Sequence, residues 1–184
     1  MARTESKIVE LGSDAMEFAL YEPAESQYIT LTSQKSDKAT LIIFMCNHCP
    51  YVVHIAEALS SFAKEYIPKG LSIIGINPND YENYPDDSPD NMKKFIEKYD
   101  LQFPYLIDET QEVAMAYNAQ CTPEFFLYDK NLKLKYHGQF DDSRPDSGIP
   151  VTGNDLRNAV DAVIASQLPD NNQKPCVGCG IKWK

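Results

Sequence analysis

Cys46 and Cys49 are the residues of this chain with the clearest capacity for chemistry. They are separated by two residues, at the end of the apolar run 41–45 and just before a helical pattern that begins at Pro50. A strand would thus deliver both thiols to a helix N-terminus, where unpaired N–H groups lower a thiol pKa and favour the reactive thiolate. The spacing predicts a redox-active dithiol. Two packed cysteines, or half of a zinc site, are the alternatives.

A second pair of cysteines with the same spacing lies near the C-terminus. Cys176 and Cys179 belong to a segment, 169–184, with little apolar sequence of its own. We predict that this segment is a flexible tether, which would raise the effective concentration of its thiols at any site within reach. The two cysteines are then interpreted as a relay disulfide that exchanges with the first pair. Four thiolates could instead bind one zinc, but the two pairs lie much farther apart than in a zinc ribbon. We predict no metal and no cofactor.

Composition and charge restrict the classes of protein. The chain has 184 residues, 43% of them apolar and 24% charged, which suits one globular domain with a sizeable core. We place that domain at 1–168 and treat 169–184 as its tail. The net charge of −10 argues against nucleic acid or an anionic membrane surface as a partner. Because no long apolar segment opens the sequence, we expect no signal peptide, no membrane span and a cytoplasmic location.

Apolar periodicity predicts strands and helices in alternation around the first cysteine pair. Residues 1–26 are predicted to be an extended lead-in. The acidic loop 80–90 could border the active site, because loops at the C-terminal ends of strands often do, but we prefer to interpret it as solvated. Thr152 and Asp155 resemble a capping box that begins the last helix. Strands are predicted at 27–32, 40–45, 71–76, 104–107, 124–129 and 132–137, and helices at 50–66, 89–99, 110–117 and 152–164.

This order of elements resembles the thioredoxin fold over most of the chain. The resemblance implies an α/β domain with a central mixed β-sheet flanked by helices, an N-terminal extension and a cysteine-containing tail. In that superfamily a Thr-Pro at this place holds a cis proline opposite the dithiol. Pro123 is therefore expected to be cis, leaving the backbone of Thr122 free to pair with an extended substrate. An ordinary trans proline at the start of a strand is the alternative. Cys121 is either a third redox partner or, as we prefer, a small packed residue.

Three strings narrow the resemblance to the redoxin branch, which joins the alkyl hydroperoxide reductase/thiol-specific antioxidant proteins to the TlpA-like oxidoreductases. They are Asn-His-Cys-Pro-Tyr-Val at 47–52, Cys-Thr-Pro-Glu-Phe-Phe at 121–126 and Gly-Cys-Gly-Ile-Lys-Trp at 178–183. The sequence is similar to peroxiredoxin-like proteins that carry all three. The combination is specific for the group, but it does not select one reaction.

A thiol–disulfide oxidoreductase is the function we favour. Cys46 is expected to be the exposed nucleophile that forms a mixed disulfide, which Cys49 resolves. His48 either holds the thiolate or is a solvated turn residue. The expected partners are a protein or small-molecule disulfide or thiol substrate and a thiol reductant system. A homodimer is left open by the sequence.

Two other functions are alternatives. A thiol peroxidase would use Cys49 as the peroxidatic cysteine, with Cys46 in place of the usual threonine. Such enzymes hold the peroxide with an arginine that is expected near residue 122, yet Thr122 stands there, and only Arg144 could swing in. The second alternative is a non-catalytic or zinc-clasped module that binds a partner strand along the Pro123 edge.

Overall fold

The chain is described by a computed structural model that covers residues 3–184. The strands are β1 Arg3–Glu5, β2 Ala19–Glu22, β3 Gln27–Thr30, β4 Ala39–Phe44, β5 Leu71–Asn77, β6 Tyr105–Ile107, β7 Cys121–Thr122, β8 Glu124–Asp129, β9 Leu134–His137 and β10 Val177–Gly180. The helices are α1 Leu31–Gln34, α2 Pro50–Tyr66, α3 Pro89–Tyr99, α4 Glu112–Ala116 and α5 Asn154–Ile164.

The central sheet has seven strands in the order β3-β2-β6-β5-β4-β8-β9. Strand β4 pairs in parallel with β5 and antiparallel with β8, so the sheet is mixed. Every residue of β4 is buried, as expected of an apolar strand covered on both faces. Side chains such as Leu41 and Ile43 enter the core beneath α2, and Ile42 and Phe44 enter the core on the opposite face. The predicted α/β architecture with a central mixed sheet is confirmed.

The crossover from β4 through α2 to β5 positions the first cysteine pair. Pro50 occupies the first turn of α2, where no amide hydrogen is needed, and the helix ends at Tyr66. A short 3-10 turn follows, and Gly70 closes it with a left-handed φ of 103°. Strand β5 then runs parallel to β4. The predicted strand–helix–strand unit and its stop at Pro68 and Gly70 are confirmed.

The two ends of the chain differ from the sequence-based expectation. The lead-in at 1–26 contains β1 and β2, and β2 joins the main sheet between β3 and β6. The tail is not a flexible tether, because its strand β10 lies between β1 and β7 in a second, three-stranded sheet. The tail has few apolar residues, but its backbone forms hydrogen bonds with a strand on each side. Hydrophobic periodicity in the sequence cannot reveal such backbone pairing.

The predicted capping box at Thr152 and Asp155 is wrong. Gly153 is the N-cap of α5, and no side chain caps it. The Asp155 carboxylate instead accepts a hydrogen bond from Gln139 at 2.7 Å. Among residues 3–184, no helix combines the length and the apolar character needed to cross a membrane.

Candidate active site

The first cysteine pair lies in the turn between the end of β4 and the start of α2. Cys49 is the N-cap of α2, and Cys46 lies in the turn that precedes it. Both side chains are buried, with relative exposures of 1% for Cys46 and 0% for Cys49. The expectation that Cys46 is an exposed nucleophile is therefore wrong. The predicted strand and helix are correct, but the loop 78–88 and the tail cover the turn between them.

One thiolate is strongly favoured within this pair. The hydrogen bond from the Cys46 thiol lowers the pKa of Cys49 to about 5, with further help from the Cys179 thiol and from the backbone amides of Val52 and Cys179. These donors outweigh the burial of the sulfur, which acts in the opposite direction. When Cys49 carries a proton, its S–H donates to the carbonyl oxygen of Thr122 at 3.1 Å. Cys49 is thus the resting position of the negative charge.

Cys46 lies four residues before the first residue of α2, and its environment differs from that of Cys49. Burial raises the pKa of Cys46, and the hydrogen bond to Cys49 and the negative charge of Asp87 raise it further. Its sulfur also lies 3.2 Å from the Thr122 hydroxyl, which favours the thiolate when it donates. The two sulfurs therefore share one proton at neutral pH, and their titrations belong to the pair.

His48 and Asp87 form a second polar contact beside Cys46. His48 Nδ1 lies 2.7 Å from Asp87 Oδ2, and its ring stacks on Tyr84 with 5.9 Å between centroids. The Asp87 carboxylate raises the pKa of His48, although partial burial opposes this. Asp87 also accepts a hydrogen bond from the Asn47 amide at 2.7 Å. His48 is therefore not a free turn residue, and the interpretation of loop 80–90 as fully solvated is wrong at Asp87, which is buried.

Pro123 faces the cysteine pair through a cis peptide bond with Thr122, as predicted. The turn is held by Glu124, whose Oε2 accepts the backbone amides of Gln120 at 2.7 Å and Cys121 at 3.1 Å. The other carboxylate oxygen lies 2.8 Å from His137 Nε2, and both side chains are buried. A carboxylate anchored by three donors fixes the backbone beside Pro123.

The backbone edge beside Pro123 is not free. Strand β10 pairs antiparallel with β7, so that Cys179 lies opposite Thr122 and Gly180 opposite Cys121. The approach at Gly178 is so close that a Cβ atom there would lie 2.0 Å from the Thr122 carbonyl oxygen. Glycine is thus the residue that permits the contact. The expectation of an open edge at Thr122 and Pro123 for an extended substrate is corrected by this pairing.

Cys176 and Cys179 point to opposite sides of the tail strand. Cys179 contacts Cys49, whereas the Cys176 thiol donates to the carbonyl oxygen of Gly138 at 3.0 Å. Three residues in extended backbone span about 10 Å, beyond the Cα separation of a disulfide. The predicted Cys176–Cys179 relay disulfide is therefore wrong for this conformation. The four-thiolate zinc clasp fails for the same reason, because Cys176 faces away from the other three sulfurs.

Cys121 packs in the core, as preferred from the sequence. It is fully buried, and its sulfur lies 3.8 Å from Glu124 Oε2 and 4.0 Å from the Pro123 carbonyl oxygen. Burial and the charge of Glu124 raise the pKa of Cys121, so its thiol is held in the unreactive form.

Within residues 3–184, one group of side chains could bind a metal ion. Donor atoms of Cys46, His48 and Asp87 lie within 4.8 Å of one another. A sulfur, an imidazole nitrogen and a carboxylate oxygen form a donor set that zinc accepts in catalytic sites. Binding would tie up Cys46 and would therefore compete with its redox chemistry.

The arginines are engaged elsewhere. Arg144 donates to the carbonyl oxygens of Asp141 and Ser143, each at 2.6 Å, and also contacts Gln139. Arg157 pairs with Glu65, and Arg3 with Glu5. Arg144 thus does not take the place of the arginine expected of a peroxidase.

Sequence reasoning missed three residues that position the site. Asp87, Glu124 and His137 are polar residues that are buried in the fold, where Asp87 contacts Asn47 and Glu124 contacts His137. His137 had no recognisable partner in the sequence, and Asp87 was one acid among many in a polar loop. The signal that was available is Glu124 directly after Pro123, since an acid in an otherwise apolar strand needs buried donors.

Comparison with known proteins places this geometry in context. The model of the AhpC/TSA family matches residues 11–137. The thiol-disulfide oxidoreductase ResA of Geobacillus thermodenitrificans is 29% identical over 132 residues, which is 72% of this chain and 71% of that protein.

Two solved structures extend the comparison to the fold. An uncharacterized conserved protein from Geobacillus kaustophilus is 51% identical with a TM-score of 0.98, covering 100% of this chain and 97% of that one. The thioredoxin domain of a thiol-disulfide oxidoreductase from Bacteroides vulgatus has a TM-score of 0.63 at 19% identity, covering 83% of this chain and 99% of that one. The second likeness confirms the thioredoxin fold.

Proposed function

This chain belongs to the AhpC/TSA family, and we propose that it is a thiol–disulfide oxidoreductase whose dithiol is Cys46–Cys49. The observation that carries the proposal is the sulfur pair at the N-terminus of α2, both of whose sulfurs contact Thr122 beside cis Pro123. The similarity to ResA, a thiol-disulfide oxidoreductase, supports the same reaction class.

The exchange begins with the single thiolate of the pair. Proton transfer along the hydrogen bond from Cys46 to Cys49 moves the negative charge to Cys46, where the Thr122 hydroxyl is 3.2 Å away. The Cys46 thiolate attacks a substrate sulfur, a mixed disulfide forms, and the first substrate thiolate leaves. Cys49 then attacks Cys46 and passes its proton to the second substrate sulfur, which leaves as a thiol. His48, with its pKa raised by Asp87, is the acid placed to protonate a leaving thiolate.

Substrate and location are further parts of the proposal. A protein or small-molecule disulfide is reduced, and a thiol reductant system restores the dithiol. The proposed location is the cytoplasm, where cysteine pairs serve redox or metal chemistry more often than structural disulfides. Cell fractionation tests the location, and light scattering tests whether the chain forms a homodimer, which the sequence leaves open.

Turnover of a protein disulfide tests the reaction. Reduction of insulin by dithiothreitol should be accelerated by the protein, and Cys46→Ser should reduce the acceleration by at least about 1,000-fold, because the attacking atom is lost. Cys176→Ser is the matched control, since that thiol faces Gly138, and it should retain the wild-type rate. An equal loss in both variants, or no acceleration by the wild type, would contradict the proposal.

A further inference from the structure

The tail strand lies where an extended substrate would pair, and it places a cysteine opposite the site. Strand β10 aligns Cys179 with Thr122, and the carbonyl oxygen of Thr122 is the atom that lies 3.1 Å from the Cys49 sulfur. Cys179 is itself buried and is the second thiol that contacts the Cys49 sulfur. Cys49 thus has one thiol neighbour on each side, Cys46 in the turn and Cys179 in the tail.

Several contacts hold the tail in this register. Beyond Cys179, the Lys182 amide donates to the Asn79 side chain at 2.9 Å, and the Lys182 carbonyl oxygen accepts the Asp80 amide at 2.9 Å. Before it, the Cys176 amide donates to the Ser6 hydroxyl at 2.9 Å. Gly178 lies against the Thr122 carbonyl group. The position of Cys179 is therefore fixed from both ends of the strand.

We propose that Cys179 is a third redox-active cysteine, which exchanges with the Cys46–Cys49 disulfide to form a Cys49–Cys179 disulfide. The inference rests on the proposed function, which supplies the first disulfide. The Cys179 sulfur attacks the Cys49 sulfur, the Cys46–Cys49 bond breaks, and the proton of the Cys179 thiol passes to the leaving Cys46 sulfur. One disulfide and one thiol are present before and after, so no further oxidant is needed.

The exchange decides whether a substrate strand can pair with the backbone at Thr122. With Cys179 bonded to Cys49, the tail is covalently fixed over Thr122, and no other strand can pair there. Cys46 is then a free thiol although the protein is oxidised. Reduction of the Cys49–Cys179 bond removes the covalent link and leaves the tail held by backbone pairing and hydrogen bonds alone, and only then can an extended substrate displace β10. The tail strand is thus a tethered occupant of the site whose departure depends on redox state.

Disulfide mapping tests the proposal. Full-length protein is equilibrated with glutathione disulfide, quenched in acid, alkylated and digested between the two regions, and linked peptides are identified by mass spectrometry. The wild type should yield a fraction with Cys49 linked to Cys179. Cys46→Ser should yield this linkage as its main intramolecular disulfide, because the competing partner is gone. Cys176→Ser is the matched control from the same tail, one residue before β10, and should give the wild-type pattern.

The outcomes separate this inference from the function on which it rests. If wild type forms Cys46–Cys49 and neither wild type nor Cys46→Ser forms Cys49–Cys179, this inference is overturned while the proposed function stands. If no intramolecular disulfide forms in any variant, the proposed function falls with it. Circular dichroism establishes that Cys46→Ser is folded, and Cys46→Ala replaces it if it is not.

Discussion

The two Cys-x-x-Cys pairs of this chain have the same spacing and opposite geometry. At Cys46 and Cys49 the chain turns into a helix, and the two sulfurs hydrogen-bond to each other. At Cys176 and Cys179 the chain is extended, and the two sulfurs face different partners, Gly138 and Cys49. Spacing alone therefore does not define a redox pair. The local backbone decides whether two cysteines at this spacing meet.

The pH dependence of thiolate content should give the largest difference between the pairs. Absorbance at 240 nm reports thiolates without requiring access to the sulfur. The reduced wild type should gain one thiolate as pH rises through about 5, the pKa of Cys49. Burial holds the pKa of Cys176 and Cys179 above its usual range, that of Cys179 at about 12, so the second pair should stay silent below pH 9.

Cys49→Ser is the control for this titration, because it should abolish the step near pH 5. The lowered pKa of Cys49 should also make the folded protein more stable as pH rises. Between the folded pKa of about 5 and the ordinary value of 9.0, the unfolded chain keeps a proton that the folded chain has lost. The unfolding free energy of wild type relative to Cys49→Ser should thus rise with pH, by up to about 1.4 kcal/mol per unit. A flat difference across this range would contradict the lowered pKa.

Gly178→Ala should break the contact between the pairs. Its Cβ would lie 2.0 Å from the Thr122 carbonyl oxygen, so β10 must move away from β7. We expect a loss of about 1–3 kcal/mol in unfolding free energy. We also expect alkylation of Cys49 by maleimide to accelerate by about 10-fold, because such a loss shifts a local opening equilibrium by that order.

Gly180→Ala, in the same strand, is the control for this variant. Its Cβ would meet only the Thr4 hydroxyl, at 3.1 Å, and a side chain can yield where a peptide group cannot. Alkylation of Cys49 at equal rates in the two variants would show that the tail does not cover the first pair.

Asp87→Asn should give a smaller effect, confined to the first pair. Removing the carboxylate lowers the pKa of His48 toward its ordinary value, so less imidazolium is present at neutral pH. Turnover should fall by about 10-fold with the fold intact, and the His48 titration followed by NMR should shift to lower pH. Asp86→Asn is the control, since that carboxylate is exposed and only its backbone carbonyl contacts Asn47. An unchanged His48 titration in Asp87→Asn would contradict the assigned contact.

The sequence predicted one half of the site far better than the other. The run 40–45, Pro50 and the stop at Gly70 are local signals, and local propensity agrees with the final fold there. Strand β10 could not be recognised in the same way, because the strand is stabilised by backbone pairing with β1 and β7, which lie far away in the chain. The burial of Asp87 likewise depends on its contacts with the turn at Asn47 and His48. Pairing between polar segments that are far apart in the chain produces no hydrophobic periodicity in the sequence.

A redox titration read cysteine by cysteine tests the difference between the pairs most directly. Full-length protein is equilibrated in glutathione buffers of increasing potential, quenched in acid and alkylated, and each cysteine is scored by mass spectrometry. Cys49 should lose its free thiol reversibly, with Cys46 as its main partner and Cys179 as the partner in the remaining fraction, while Cys176 stays alkylated at every potential. A Cys176–Cys179 disulfide, or thiols at Cys46 and Cys49 that persist across the whole range, would contradict the assignment of the first pair as the redox centre.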